Sequence, residues 1–504
     1  MSNDVLEQEQ VKRIRKLYNK LRKNGITSTQ FITELSYLLF LKILHETNRE
    51  YLLPEGHNWA TLKRGIGDDL LIFYRQLLLN LGDLRKSKSS FVQIFFNNAQ
   101  SSLTTAPNLR ELLDAIDKIN CASSEDGDNG LTQLYEELLQ QSSSEKNTDA
   151  GQYITPRPLI NSIVRLIKPN FGEEIHDPAA GSGGFLVAAD QYIKERTDRL
   201  YSLTPEQANF QRNQAFKGME IDATMHKLCL MNLMLYKING NLGFGDTLTS
   251  IGKDLKDADL VLSNPPFGSN DGNTYPSRDD FTITFETNNR QFAFVEHIIL
   301  SLKPGGRAAI VLPDNVLFED NTGRKLREFM LNRCNLHTIL RLPTGIFSSQ
   351  GVKTNVVFLQ RGHSERDNTT GVWIYDMRSN MRSFGKNNPL RLADFADFEA
   401  AYGSDPNGNS LRTDQGESGR FRYFSRDYIR ERKDNLDITW LRDASANHDD
   451  QLQQPDQLAE AIVLHLRNAL DQFEALSAEL ADPNLIEVAS LAEVEEQHQA
   501  EALD

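Results

Sequence analysis

Apolar residues in the first 145 positions recur at helical spacing. Thr27 and Gln30 stand three apart, as a capping box requires, and Phe31, Leu35, Leu38 and Leu39 follow on one helical face. Residues 68–81 and 109–119 repeat the amphipathic pattern. The polar stretch 142–151, SSSEKNTDAG, interrupts it, so residues 1–145 are expected to form an N-terminal helical domain. From there the period changes. Short apolar runs predict strands at 174–177, 216–221, 242–245, 259–263, 307–312, 336–341 and 353–360, with helices between most of them, as at 185–192, 224–238 and 292–302. That order implies an α/β fold: a doubly wound, Rossmann-like, mainly parallel sheet with helices on both faces. We place this catalytic domain at 146–380. Residues 381–454, rich in Asn, Gly and Asp, are expected to be an irregular extension of it. In 455–504 a helical period returns (Leu458, Ile462, Leu466, Leu470, Phe473, Leu476 and Leu480) until Asp482 and Pro483 break it. Such a C-terminal helical tail fits equally a helix packed on its own protein and one given to a subunit interface. There is no internal repeat.

Composition narrows the class. Hydrophobic residues make up 39% and charged residues 25%, as in ordinary soluble proteins. Length, 504 residues, suggests two to four domains. No apolar run approaches the ~18–20 residues that span a bilayer. The polar, acidic opening MSNDVLEQEQ does not read as a secretory signal, so the cytoplasm is the expected compartment. Cys121, Cys229 and Cys334 form no disulfide or zinc pattern and are expected to be buried, and no metal site is expected. The net charge is −15, of which −11 falls in Pro455–Asp504, leaving −4 for residues 1–454. Affinity for DNA rests largely on neutralised phosphates, so the chain alone should bind DNA poorly and need a partner to reach it.

Four segments carry candidate chemistry. IHDPAAGSGGFLVAA passes from a strand through a small-residue turn into a helix. Gly181, Gly183 and Gly184 let backbone approach a ligand, and the following helix N-terminus offers unpaired N–H donors. The spacing is not GxGxxG, which argues against a pyrophosphate ligand. Asp177 at the strand end suits a ligand's positive group, such as a methionine ammonium; a tight turn without ligand is the alternative. Glu220, in GMEID, ends the next strand, where an acidic residue commonly accepts both ribose hydroxyls. Asp246, in GDTL, ends the third and could accept from an adenine amine. Each is modest alone; three in order at successive strand ends are much stronger.

The sharpest segment is Asn264, Pro265, Pro266 and Phe267, after an apolar strand. An exocyclic amine on an aromatic ring is a poor nucleophile because its lone pair is delocalised. The Asn264 amide oxygen and the Pro265 carbonyl, accepting its two hydrogens, would favour a tetrahedral nitrogen with its lone pair free. The prolines stiffen the loop so that these acceptors stay placed. Phe267 can stack on a planar base.

The segments GQYITPRPLI, DPAAGSGGFL, GMEID, GDTL and NPPFGS, followed by LKPGGRAAIVLPDNVLF and LPTGIFSSQGVKTNVVF, resemble the motif series of type I restriction–modification methyltransferase (modification) subunits, which are N6-adenine DNA methyltransferases. The resemblance extends to the N-terminal region and to Asp437–Trp440. It implies S-adenosylmethionine as cofactor, with Gln152, Tyr153, Ile154, Thr155, Pro156 and Arg157 flanking its methionine end and Thr155 near its carboxylate. Thr155 before Pro156 is also a good helix N-cap. The resemblance further implies Gly181, Ser182, Gly183 and Gly184 along the cofactor, Glu220 on its ribose, and Asn264 to Phe267 on a flipped adenine. Phe347 falls where related enzymes place a second aromatic against that base, or is an ordinary core residue. Implied partners are double-stranded DNA, a specificity subunit, a second modification subunit and restriction (translocase or nuclease) subunits. NPPF is shared with methyltransferases acting on protein glutamine or RNA bases, which remain an alternative. An inactive cofactor-binding scaffold is another, against which the intact Asn264 argues.

Overall fold

The computed structural model describes residues 3–83, 85–86, 89–121, 130–143, 154–268, 275–347, 353–382, 384–385 and 388–441. The expected tail helix, Gln152 and Tyr153 lie outside these residues. The N-terminal part is helical. Its central helix, Ser28–Glu46, begins on a complete Thr27–Gln30 capping box and is buried along most of its length. Phe31, Leu35, Leu38 and Leu39 are all buried there, and Phe40 stacks on Phe95 with ring centroids 4.2 Å apart. The last helix of this part, Gly130–Ser143, runs into the stretch expected to be linker.

The second part is built on one nine-stranded sheet: β1 (Ile175–Asp177), β2 (Phe216–Glu220), β3 (Asn241–Phe244), β4 (Ala258–Ser263), β5 (Leu302–Pro313), β6 (Cys334–Arg341), β7 (Thr354–Arg361), β8 (Gly371–Asp376) and β9 (Phe421–Ser425), in the order β3-β2-β1-β4-β5-β7-β6-β8-β9. The first five strands are parallel, β7 runs antiparallel between β5 and β6, and β9 pairs antiparallel with β8. All seven expected strands form within a few residues of their expected bounds. The exception in extent is β5, whose first residues, Leu302–Gly306, belong to LKPGG, a stretch of turn-like composition. β8 and β9 were not anticipated. β9 lies in the segment expected to be irregular, which also holds the helices Ala396–Tyr402 and Arg426–Glu431.

Both faces are covered, so strand residues alternate between two cores. On β5, Ala309 and Val311 enter one cluster, whereas Ala308, Ile310 and Leu312 enter the other. The first cluster continues without a break into the N-terminal helices. Helix Ala223–Leu235 carries that junction: Tyr135 donates to the Leu228 carbonyl at 3.3 Å, and Lys227 Nζ donates to the Asn97 carbonyl. Cys121, Cys229 and Cys334 are buried and free. Among the described residues no helix is long and apolar enough to cross a membrane, and no cluster of three potential metal ligands occurs.

The chain passes from β1 outward to β2 and β3, then returns to β4 on the other side of β1. This reversal leaves a crevice at the carboxyl ends of β1 and β4, where open α/β sheets bind ligands.

Candidate active site

Asp177 ends β1 inside that crevice. Its Oδ1 accepts from Ser263 Oγ at 2.8 Å and from the Ala179 amide at 3.1 Å, which ties the end of β1 to the end of β4. Burial pushes its carboxyl up to about 7, against the pull of those two bonds, and the neighbouring Glu220 charge adds to the rise. The turn beyond it needs glycine for its backbone angles and for lack of space. Gly181 has φ of +52° and Gly183 of +77°, and a Cβ at Gly183 would lie 2.8 Å from Cys229 Sγ. A Cβ at Gly184 would meet Ile160 Cδ1 at 2.9 Å. Gly184 then opens the helix Gly184–Arg196.

Glu220 ends β2 and braces the same turn: Oε2 accepts from the Gly181 amide and Oε1 from the Asp222 amide, both at 2.8 Å. Asn232 Nδ2 donates to the Ser182 carbonyl at 2.9 Å. After β4, Asn264 Nδ2 donates to Thr155 Oγ1 at 3.0 Å, while its buried Oδ1 has no partner among the described residues. A buried unpaired carbonyl oxygen costs roughly 1–3 kcal/mol, and this one, on the cavity lining, is able to accept from a donor. The loop is held from behind, since the Gly268 amide donates to Gln291 Oε1 at 3.0 Å and the Arg290 amide to the Gly268 carbonyl at 3.2 Å. Further on, Glu296, wholly buried, accepts from the amides of Thr282, Ile283 and Thr284 and fixes that segment.

These elements line a partly open cavity with about 880 Å³ of empty space, some of it continuous with solvent. Of the residues singled out from sequence, it brings together Ile154, Thr155, Arg157, Asp177, Gly181, Ser182, Gly184, Glu220, Asn264, Pro265 and Pro266. Pro156, Gly183, Asp246, Phe267 and Phe347 do not line it. Pro156 precedes the helix Arg157–Ile167, where Thr155 makes no side-chain cap; its hydroxyl serves Asn264 instead. Asp246 Oδ1 accepts from the Leu248 amide in its own loop, while the next residue, Thr247, donates to the Pro178 carbonyl at 2.6 Å. Phe267 is half-buried against the main core, and Phe347 is buried within it. Sequence reasoning missed Ile160, Met225 and Asn232, and above all Glu136, Leu139 and Gln140, which the N-terminal helical part contributes. A single Asn among the apolar residues of LCLMNLML could have flagged Asn232, because a buried amide needs a partner. Glu136 offers no such signal.

The donor set suits S-adenosylmethionine. Gly181 has open space where a Cβ would be, backbone there can approach a ligand, and acidic side chains stand at the ends of β1 and β2.

Residues 126–450 match the family described as N-6 DNA Methylase. The chain is 41% identical to the methylase subunit of type I restriction enzyme StySPI from Salmonella potsdam, over 93% of this chain and 95% of that one. It is likewise 41% identical to the EcoKI methylase subunit of Escherichia coli strain K12, with the same coverage. The crystal structure of the EcoKI M protein superposes with a TM-score of 0.56 at 38% identity, covering 94% of this chain and 97% of that one. A further solved chain, from a type I restriction–modification system, gives a TM-score of 0.74 at 24% identity over 96% of this chain and 99% of that one, a likeness of fold. The chain belongs to the N-6 DNA methylase family and, within it, to the modification subunits of type I restriction enzymes.

Proposed function

We propose that Asn264 and Pro265 receive the N6 amine of an adenine turned out of the DNA duplex, and that this placement sets the rate of methylation. The chain is an adenine-specific DNA methyltransferase that uses S-adenosylmethionine. That cofactor supplies a methyl group already activated on a sulfonium. The residues need only bind, orient and exclude water. Gly181, Ser182 and Gly184 flank the cofactor, Asp177 faces its ammonium and Glu220 its ribose hydroxyls. Extrusion of the base costs a few kcal/mol, which contacts to its edge and face partly recover. Phe267 supplies the face contact. Asn264 Oδ1 accepts one amine hydrogen and the Pro265 carbonyl the other, drawing the nitrogen towards a tetrahedral shape.

The observation that carries this reading is the buried, unpaired Asn264 Oδ1, with the other end of the same amide held by Thr155. We further propose that the chain acts beside a specificity subunit that reads the sequence, a second copy of itself and restriction subunits, in the cytoplasm where its DNA lies. The net charge of −15 supports delegated recognition.

The test is tritiated methyl transfer to a target duplex by the complex reconstituted with its specificity subunit. Asn264→Ala should lower turnover by at least ~10²-fold, as for loss of one preorganised hydrogen-bonding group, while leaving cofactor affinity and melting temperature nearly unchanged. Near-parental turnover would refute the mechanism.

A further inference from the structure

Helix Gly130–Ser143 belongs to the N-terminal helical part, yet Glu136, Leu139 and Gln140, on one face at i, i+3 and i+4, line the cavity. Across from them stands Arg157, its guanidinium 3.4 Å from Glu136 Oε1. The same oxygen accepts from Tyr236 Oη at 2.7 Å. Arg157 is fixed by its own bonds to Gln191 Oε1 at 2.6 Å and to the Gly184 carbonyl at 3.3 Å. The two side chains keep about a fifth of their surface exposed, 21% for Glu136 and 19% for Arg157. A carboxylate and a guanidinium are thus held side by side, each oriented by a neutral neighbour, on the wall of one cavity.

We infer that Glu136 and Arg157 form a zwitterion clamp for the amino-acid end of the cofactor, Glu136 taking the ammonium and Arg157 the carboxylate. The inference rests on S-adenosylmethionine occupying this cavity. An ammonium has three N–H donors. Asp177 meets only part of that demand, because its Oδ1 already accepts two bonds. The Glu136 carboxylate supplies a second acceptor on the lining of the same cavity. The cofactor then bridges the two parts of the chain, and the catalytic sheet alone makes an incomplete site.

The test compares two ligands on the full chain by calorimetry: S-adenosylhomocysteine, which carries the amino-acid end, and 5′-methylthioadenosine, which lacks it. Glu136→Gln keeps an acceptor for Tyr236 but removes the charge. It should weaken S-adenosylhomocysteine by roughly 10-fold or more, the scale of one charge-assisted hydrogen bond, and leave 5′-methylthioadenosine within about twofold. Unchanged S-adenosylhomocysteine affinity overturns the inference. So does equal weakening of both ligands, which would make Glu136 a residue that merely shapes the cavity. If the variant does not fold, the parent chain decides: the desamino analogue of S-adenosylhomocysteine should bind about as poorly as the truncated nucleoside, and parental affinity for it overturns the clamp. A parent chain that binds none of these compounds would instead refute cofactor binding in this cavity.

Discussion

Replacing Asp177 by Asn should make the cofactor-free protein more stable at alkaline pH while weakening its hold on cofactor. Asn is isosteric and keeps an oxygen for Ser263 Oγ and the Ala179 amide, so the tie between β1 and β4 survives. What it removes is a charge that burial opposes. The native carboxyl titrates at about 7. In the unfolded chain an Asp titrates near 3.9, so the difference of about three units corresponds to roughly 4 kcal/mol. The native state therefore holds a proton that the unfolded state releases. This contribution to stability is present in full below pH ~4 and is lost as pH rises through about 7. Most of the loss falls between pH 5 and 8.5, where Asp177→Asn should gain roughly 3 kcal/mol on the parent.

Cofactor reverses the sign. An ammonium beside Asp177 favours the ionised form, so binding at pH 6 should release a proton and weaken as pH falls below 7. Two measurements check this: denaturant unfolding of parent and variant at pH 5 and 8.5, and calorimetry of S-adenosylhomocysteine in two buffers of different ionisation enthalpy. Parallel pH dependences for parent and Asp177→Asn, with no proton release at pH 6, would refute the argument.

Thr155→Val removes the acceptor that orients the Asn264 amide; turnover should fall at least ~10-fold with Thr155→Ser restoring it, and a fall matched by weaker cofactor binding would place Thr155 on the cofactor instead. Glu220→Ala frees the Gly181 and Asp222 amides as well as the ribose contact, so calorimetry should show at least ~10-fold weaker S-adenosylhomocysteine binding together with a lower melting temperature, and unchanged affinity would remove Glu220 from the site. The isolated chain should bind duplex DNA weakly, with steep salt dependence and no sequence preference in a gel shift; sequence-specific binding at physiological salt would contradict delegated recognition.

The sequence was legible where local backbone demands are strong. Most of β1 to β7 are short apolar runs bounded by turns, and a strand buried on both faces needs little else to be recognised; β3, at the exposed edge, was read from its place between helix and GDTL. β8 and β9 were hidden because their stability is non-local. Phe421–Ser425 alternates with Arg422 and sits beyond a long Asn- and Gly-rich connection, and only pairing with Gly371–Asp376 makes it a strand. Around the site, Gly181 and Gly183 were readable because glycines in a strand-to-helix turn favour positive φ and close approach of backbone, and Asn264 because NPPF has few purposes. Roles that depend on which side chain a neighbour has already engaged could not be read: Thr155 serves Asn264 rather than a helix cap, and Glu220 spends both oxygens on backbone amides.

The boundary drawn near residue 146 divides the chain but not the site. Tyr135 Oη lies 2.8 Å from Ser36 Oγ in the N-terminal part and donates to the Leu228 carbonyl in the catalytic part. The adjacent Glu136 accepts from Tyr236 and faces Arg157. Two consecutive residues of one helix thus anchor it to both parts and put a carboxylate on the cavity lining. Periodicity sees such a helix as amphipathic and stops there, since its apolar face explains its packing and its polar residues look solvated. Which polar residues meet solvent depends on the partner surface, here the helix Ala223–Leu235 and the neighbouring Arg157. If Glu136 holds the cofactor as proposed, a shift of this helix against the sheet would disturb that hold, and cofactor occupancy and the position of the N-terminal helices would be linked.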